Sequence, residues 1–163
     1  MKAGIALEIP GFGPLALDVL VSDYTGTLAR GGKLSAAVER RIVAVANLLE
    51  IHILTADTFG TARRELGHLP VTIHWLEAEQ QDVQKQRFAE QLDTPRIAAF
   101  GNGRNDSLLL SAVKAAGGLA VAVDNGEGCA LETLQSASLF ITGIANAFDL
   151  LLETDRLKAT LRF

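Results

Sequence analysis

The chain has 163 residues, 48% apolar and 21% charged, with a formal charge of −4 and a pI near 5.3. That balance excludes a disordered chain, and the lack of any Lys/Arg cluster excludes a surface built for nucleic acid or acidic membrane. One domain over 1–163 is expected at this length; the lone Cys129, the lack of a signal-peptide pattern and apolar runs too short for a bilayer point to the cytoplasm.

In chain order, IALEIP-GFG-PLALDVLVSD reads as two strands about a Gly/Pro turn, an N-terminal β-hairpin taking up 1–18, with a core over 19–142. LSAAVERRIVAVANLLE has helical spacing, and Ser35 with Glu39 forms an N-cap region. IHILT is a short strand, and TFGTARRELG a helix beginning near Thr58 and stopped by Gly67. VTIHWL is a third core strand, EQQDVQKQRFAEQL an amphipathic helix, and RIAAFG a fourth strand. NDSLLLSAVKAAG and CALETLQSA are helices, GLAVAV and SLFIT strands, and a helical tail closes the chain over 143–163. Strands alternating with helices give parallel strands, and continuous apolar runs mean a sheet covered on both faces. The expected fold is a three-layer, Rossmann-like α/β fold with a mainly parallel sheet.

Ligands of such sheets sit beyond the carboxyl ends of the strands. VLVS delivers Asp23-Tyr24-Thr25-Gly26-Thr27, IHIL delivers Thr55-Ala56-Asp57, and IAAF delivers Gly101-Asn102-Gly103-Arg104-Asn105-Asp106. A strand-end carboxylate facing a glycine-rich loop suits divalent metal binding and nucleophilic attack on phosphorus. Attack brings two anions together, so it needs Mg²⁺, a fixed cation and N–H donors. Asp23 supplies the nucleophile, Thr55 a hydroxyl for a phosphate oxygen, Lys85 the fixed charge, and Asn102, Asn105 and Asp106 candidate metal holders.

These motifs resemble the haloacid dehalogenase (HAD) superfamily of phosphohydrolases, and within it the phosphorylation domain of P-type ATPases. The family's first motif, DxDGT or DKTGT, is matched by Asp23-Tyr24-Thr25-Gly26-Thr27; its Thr/Ser motif by ILTAD with Thr55; its lysine by Lys85; and GDGxNDxxAL by GNGRNDSLLL. The likeness runs from about residue 19 to 142. It implies a Mg²⁺-dependent phosphohydrolase acting through an aspartyl phosphate. Asp23, Thr25, Thr55 and Lys85 would be catalytic; Gly26, Thr27, Ala56 and Asn105 would bind a phosphorylated substrate; Asp23, the Thr25 carbonyl, Asn102 and Asp106 would hold the metal. The stretches between Thr27 and Thr55 and between Thr55 and Lys85 are too short for a cap domain. A capless member has an open site, which a second subunit of a homo-oligomer could cover.

Two positions depart from the pattern. Thr25 stands where phosphatases have a second Asp, and a hydroxyl is a poor acid and base, which implies a slow second half-reaction. Asn102 stands where the family has a metal-ligating Asp and brings no charge. The same departures fit a protein that binds Mg²⁺ and phosphate without turnover. A CheY-like receiver would need an acidic cluster and a strand-end lysine that are not placed here. Elsewhere, Asp57 reads as a cap of the helix near Thr58, His52 and His74 as core or sheet-surface residues, and Cys129 and Trp75 as packing. The tail reads as core cover or an oligomer contact.

Overall fold

Successive residues of the central strands enter two different apolar clusters. In the computed structural model, which describes residues 1–57 and 60–163, Leu20, Ile53, Phe100, Val121 and Val123 face one side of the sheet, whereas Val21, Leu54, Ala99, Ala120 and Ala122 face the other. All are buried, so the period-2 alternation of a strand reads in the sequence as an unbroken apolar run.

The hairpin strands β1 (Ile5–Ile9) and β2 (Gly13–Leu17) pair antiparallel, apart from the main sheet. The main sheet holds β3 (Val19–Asp23), β4 (Glu50–Thr55), β5 (Thr72–Trp75), β6 (Ile97–Gly101), β7 (Leu119–Asp124) and β8 (Leu139–Thr142). All of its pairings are parallel, in the order β5-β4-β3-β6-β7-β8. The chain steps outward from β3 through β4 to β5, then returns to the other flank of β3 with β6. The strand order therefore reverses beside β3, which opens a crevice at its carboxyl end.

Helices α1 (Ala36–Ala46), α2 (Thr61–Leu66), α6 (Ile144–Leu152) and α7 (Thr154–Leu161) and the hairpin bury apolar residues on one face. Helices α3 (Gln81–Glu90) and α4 (Ser107–Ala115) cover the other, with α5 (Leu131–Gln135) beside α4. On that second face β6 and β7 present Ala99, Ala120 and Ala122, small enough to admit the Leu109, Leu110 and Val113 side of α4. Opposite, Phe100 meets Phe148 of α6 edge-to-face, with ring centroids 5.6 Å apart.

Several expectations need correction. The segment PLALDVLVSD is not one strand. It breaks at Asp18, whose N–H donates to Arg96 O, whose carbonyl accepts from Glu50 N, and whose carboxylate pairs with Arg96. VTIHWL is the sheet edge rather than a core strand: β5 has a partner on one side only, and Thr72 and Trp75 are exposed. Trp75 lies under the Arg63 guanidinium, 5.1 Å from its ring centroid, in a cation–π contact rather than in the core. Ser35 does cap α1, accepting from Val38 N, but that helix ends at Ala46 and Glu50 already belongs to β4. The tail is two helices, parted at Glu153. The helix start near Thr58 lies outside the described residues; α2 runs from Thr61, with Gly67 at its C-cap. Among the described residues, no cap domain interrupts the fold and no helix is long and apolar enough to cross a membrane.

Candidate active site at the strand ends

Asp23 closes β3 and is 7% exposed. The chain must turn at once, and the turn is held from within. Tyr24 O accepts from Leu28 N and Ala29 N, Gly26 N donates to Ala29 O, and the buried Tyr24 hydroxyl donates to Gly32 O at 2.7 Å. The turn aims the Thr27 hydroxyl inward, 3.1 Å from Asp23 Oδ2 and 3.0 Å from Asn102 Oδ1. Gly26 is required there: its φ is +76°, and a β-carbon would stand 2.6 Å from Asn102 Nδ2.

On the other flank of β3, β6 ends in Gly101 and the loop folds back over Asp106. Asp106 Oδ2 accepts from the N–H groups of Asn102 and Gly103, each at 3.0 Å, while Oδ1 accepts from Lys85 Nζ at 2.7 Å. A β-carbon on Gly101 would lie 2.5 Å from Asp106 Cβ, so only glycine lets strand and loop approach this closely.

Lys85 arrives from α3 and is 1% exposed. Its Nζ also donates to Asp23 Oδ1 at 2.8 Å, making a buried carboxylate–ammonium–carboxylate row. Burial pushes the Asp23 carboxyl up to about 6, helped by the charge of Asp106 and opposed by Lys85 and Thr27. Burial alone would lower Lys85, but the charges of Asp23 and Asp106 and their hydrogen bonds outweigh it and hold the amine above its ordinary value.

Above this row lies an open crevice of about 460 Å³ lined by Asp23, Thr25, Thr55, Asp57, Gln81, Asn102 and Asn105, with Ala56 and Gly103. Larger hollows exist, one of about 830 Å³ beside Lys2, Asp18 and Arg96, but that one holds none of the strand-end groups. Thr55 is buried at the end of β4, and its Oγ1 accepts from Asp57 N at 3.2 Å. Asn105 Nδ2 donates to Gln81 Oε1 at 3.2 Å across the rim.

Of the residues expected to act, Asp23, Thr25, Thr55, Ala56, Asn102 and Asn105 line the crevice, and Lys85 lies directly beneath Asp23. Three others do not line it. Thr27 is fully buried, with its hydroxyl given to Asp23 and Asn102 rather than to the crevice. Gly26 spends its amide on Ala29 and serves by leaving room for Asn102. Asp106 is 0% exposed, and its oxygens accept from Lys85 Nζ and from the N–H groups of Asn102 and Gly103, below the crevice lining. Three lining residues had been given no role there, Gly103 of the site loop among them. Gln81 belongs to no motif, and Asp57, read as a cap, does accept from Ala62 N at 2.7 Å yet also lines the crevice.

A divalent ion implied by the resemblance would meet hard oxygen donors: the Asp23 carboxylate, the Asn102 amide oxygen and the Thr25 carbonyl. That donor chemistry fits Mg²⁺, with water and substrate completing the shell. The only described carboxylates lining the crevice are Asp23 and Asp57, so the chain supplies a low-charge site.

The parallel sheet, covered by helices on both faces and without a cap among the described residues, is the fold of solved HAD structures. No family model matches the chain. Its fold is shared by a structure from Streptomyces avermitilis assigned to the HAD family of hydrolases, at 17% identity and a TM-score of 0.62, covering 82% of this chain and 83% of that one. It is shared too by the 3-deoxy-D-manno-octulosonate 8-phosphate phosphatase of Moraxella catarrhalis, solved with magnesium, phosphate and KDO, at 14% identity and a TM-score of 0.61, covering 90% and 94%. In sequence, the chain is 42% identical over 67 residues to the uncharacterized protein MJ0073 of Methanocaldococcus jannaschii, covering 41% of this chain and 68% of that protein. The chain belongs to the family of that archaeal protein and shares its fold with the solved HAD structures.

Proposed function

We propose that the chain is a Mg²⁺-assisted phosphohydrolase that works through an aspartyl phosphate on Asp23, with a slow second half-reaction. The observation that carries this is the row Asp23–Lys85–Asp106 at the crevice floor. It keeps a carboxylate ionisable and oriented at the one point where two strand-end loops and an open crevice meet. Asp23, Asn102 and the Thr25 carbonyl would hold the ion. When bound, Mg²⁺ would screen the two anions from each other and draw charge from a phosphoryl oxygen.

The chain's own groups do the rest. Asp23 attacks phosphorus, the bond to the leaving oxygen breaks, and that oxygen takes its proton from solvent water in the open crevice. Thr55, whose Oγ1 already accepts from Asp57 N, has its proton left for a phosphoryl oxygen. Lys85 fixes Asp23 and offsets the charge that gathers there. Thr25 offers no acid to the leaving group and no base to the incoming water, so hydrolysis of the aspartyl phosphate limits turnover, in keeping with the P-type-ATPase-like motif. A second copy of the chain could cover the open crevice; light scattering with and without Mg²⁺ reports on it.

The test is turnover of p-nitrophenyl phosphate and acetyl phosphate with Mg²⁺, wild type beside Asp23→Asn. Activity lost in the variant supports the reading. Equal rates remove it, and Mg²⁺-dependent beryllofluoride binding without turnover would instead assign a phosphate sensor.

A further inference from the structure

We infer that the crevice selects phosphomonoesters whose leaving group bears no further negative charge, such as a small polyol or an amine-bearing alcohol, over nucleotides and carboxylate-bearing esters. The inference rests on the phosphohydrolase reading above and adds its substrate class. It comes from the charges that line the crevice and from the cations that do not.

At the floor, Lys85 is shared between two carboxylates, leaving one net negative charge. Around the walls stand neutral hydroxyls and amides: Thr25, Thr55, Gln81, Asn102 and Asn105. The one charged side chain among the wall residues is Asp57, a second negative charge. Among the described residues no Lys or Arg lines the crevice. The two residues not described, Thr58 and Phe59, are uncharged in the sequence. Arg104, nearest in the sequence of the site loop, is 80% exposed and turned to Glu132 at 3.1 Å.

Floor and wall together therefore carry a formal −2, which one divalent cation cancels. The phosphoryl dianion then uses up the attraction on offer. A second anionic group on the leaving portion would meet Asp57, with no Lys or Arg among the described lining residues to receive it. At a separation on the order of 7 Å in a partly wet cleft, that repulsion is worth about tenfold in binding. The neutral walls suit the opposite kind of group. Amides and hydroxyls each donate and accept, which matches the hydroxyls of a polyol. The volume of about 460 Å³ falls in the range of small-ligand pockets and takes a phosphoryl group with a few carbons beyond it.

The test is a matched pair of esters with Mg²⁺: glycerol 3-phosphate and 3-phosphoglycerate, which share a three-carbon frame and differ by a hydroxymethyl against a carboxylate. p-Nitrophenyl phosphate is run beside them. The expected result is a kcat/KM for glycerol 3-phosphate about tenfold or more above that for 3-phosphoglycerate at low salt. That ratio should shrink severalfold in about 0.5 M salt, and likewise in Asp57→Asn, which keeps an acceptor for Ala62 N. Equal or reversed preference, with p-nitrophenyl phosphate still turned over, overturns the charge selection alone. A preference that neither salt nor Asp57→Asn reduces overturns it as well. Loss of turnover on all three esters overturns the phosphohydrolase reading and this inference together.

Discussion

Lys85 Nζ lies 2.8 Å from Asp23 Oδ1, tying together residues 62 positions apart, and both side chains are buried. The same ammonium holds Asp106 at 2.7 Å. Removing it leaves two carboxylates facing each other out of water. Lys85→Met is therefore expected to lose about 3–5 kcal/mol of stability at neutral pH. The loss should shrink as the pH falls and the stranded carboxylates take up protons. Urea unfolding at several pH values checks this; a deficit independent of pH would mean that lost packing, not lost charge, is the cause.

The Asp23 carboxyl makes a second, opposite prediction. Its value is raised from 3.8 to about 6, first by burial and then by Asp106. A raised carboxyl favours the protonated form in the fold. Its stabilising contribution is complete below pH 3.8 and is lost as the pH rises through about 6. At neutral pH, in the absence of metal, the ionised group costs the fold up to about 3 kcal/mol. Asp23→Asn should thus melt higher than the wild type at pH 7 without Mg²⁺, while losing activity. This is stability given up for a working site. The acid limb of kcat/KM should fall near pH 6 and move lower as Mg²⁺ is raised, because the ion competes with the proton.

The strand ends were legible because the sheet is buried on both faces. An apolar run such as VLVS can end in a carboxylate only where the strand leaves the core, and Asp23, Thr55 and the loop after Gly101 follow from that. The direction of each side chain was not. Thr27 and Asp106 sit in the motifs beside groups that face the crevice, yet a single turn of backbone points them inward. Lys85 stands among Gln84, Gln86 and Arg87, and nothing local reveals that its own position on α3 is buried. Its partners lie 62 and 21 residues away, so only the tertiary fold discloses it. The edge position of β5 was equally hidden, since VTIHWL has the apolar content of a central strand and differs only in having one neighbour.

Two histidines that sequence spacing left apart are joined across β4 and β5. His52 Nδ1 and His74 Nε2 are 2.9 Å apart, Glu50 lies 3.2 Å from His52 Nε2, and both rings pack on Phe88 of α3. Burial lowers His52, with Glu50 opposing and Lys2 assisting; burial and then His52 lower His74. Lowered groups of this kind stabilise the fold while neutral. That contribution is present above pH 6.5 and is lost as the pH falls through the lowered values. His74→Phe should lose less stability than the wild type between about pH 7.5 and about pH 5, where histidine titrates. Thermal melts at the two pH values measure the difference, and equal losses would show that the pair stays neutral or is already relaxed.

Gly26 is expected to be the least replaceable residue of the first loop. Alanine there must adopt a φ of +76° and push its β-carbon to within 2.6 Å of Asn102 Nδ2. Backbone strain of this kind costs about 1–3 kcal/mol. The larger effect should fall on the site, since Asn102 must swing away from Thr27 and out of line with Asp23. Gly26→Ala should weaken Mg²⁺ binding, read by calorimetry, more than it lowers the melting temperature. A variant that melts lower but binds Mg²⁺ as the wild type does would show that Asn102 is no ligand.

Thr25 is exposed at the crevice, next to the residue that would carry the phosphoryl group. Its hydroxyl can neither protonate a leaving alkoxide nor deprotonate water near neutral pH. A carboxylate at the same place could do the second of these, and positioned general bases contribute about 10²–10⁴-fold. Thr25→Asp should therefore shorten the life of the aspartyl phosphate and raise steady-state turnover, while the rate of its formation changes little. The added charge beside Asp23 should also tighten Mg²⁺ binding, because the crevice floor offers the ion only one carboxylate. Single-turnover labelling with acetyl [³²P]phosphate, followed by a cold chase, separates formation from decay. If decay is unchanged while the label still depends on Asp23, water reaches the phosphoryl group by a route that does not pass residue 25, and Thr25 is not what makes the second half-reaction slow.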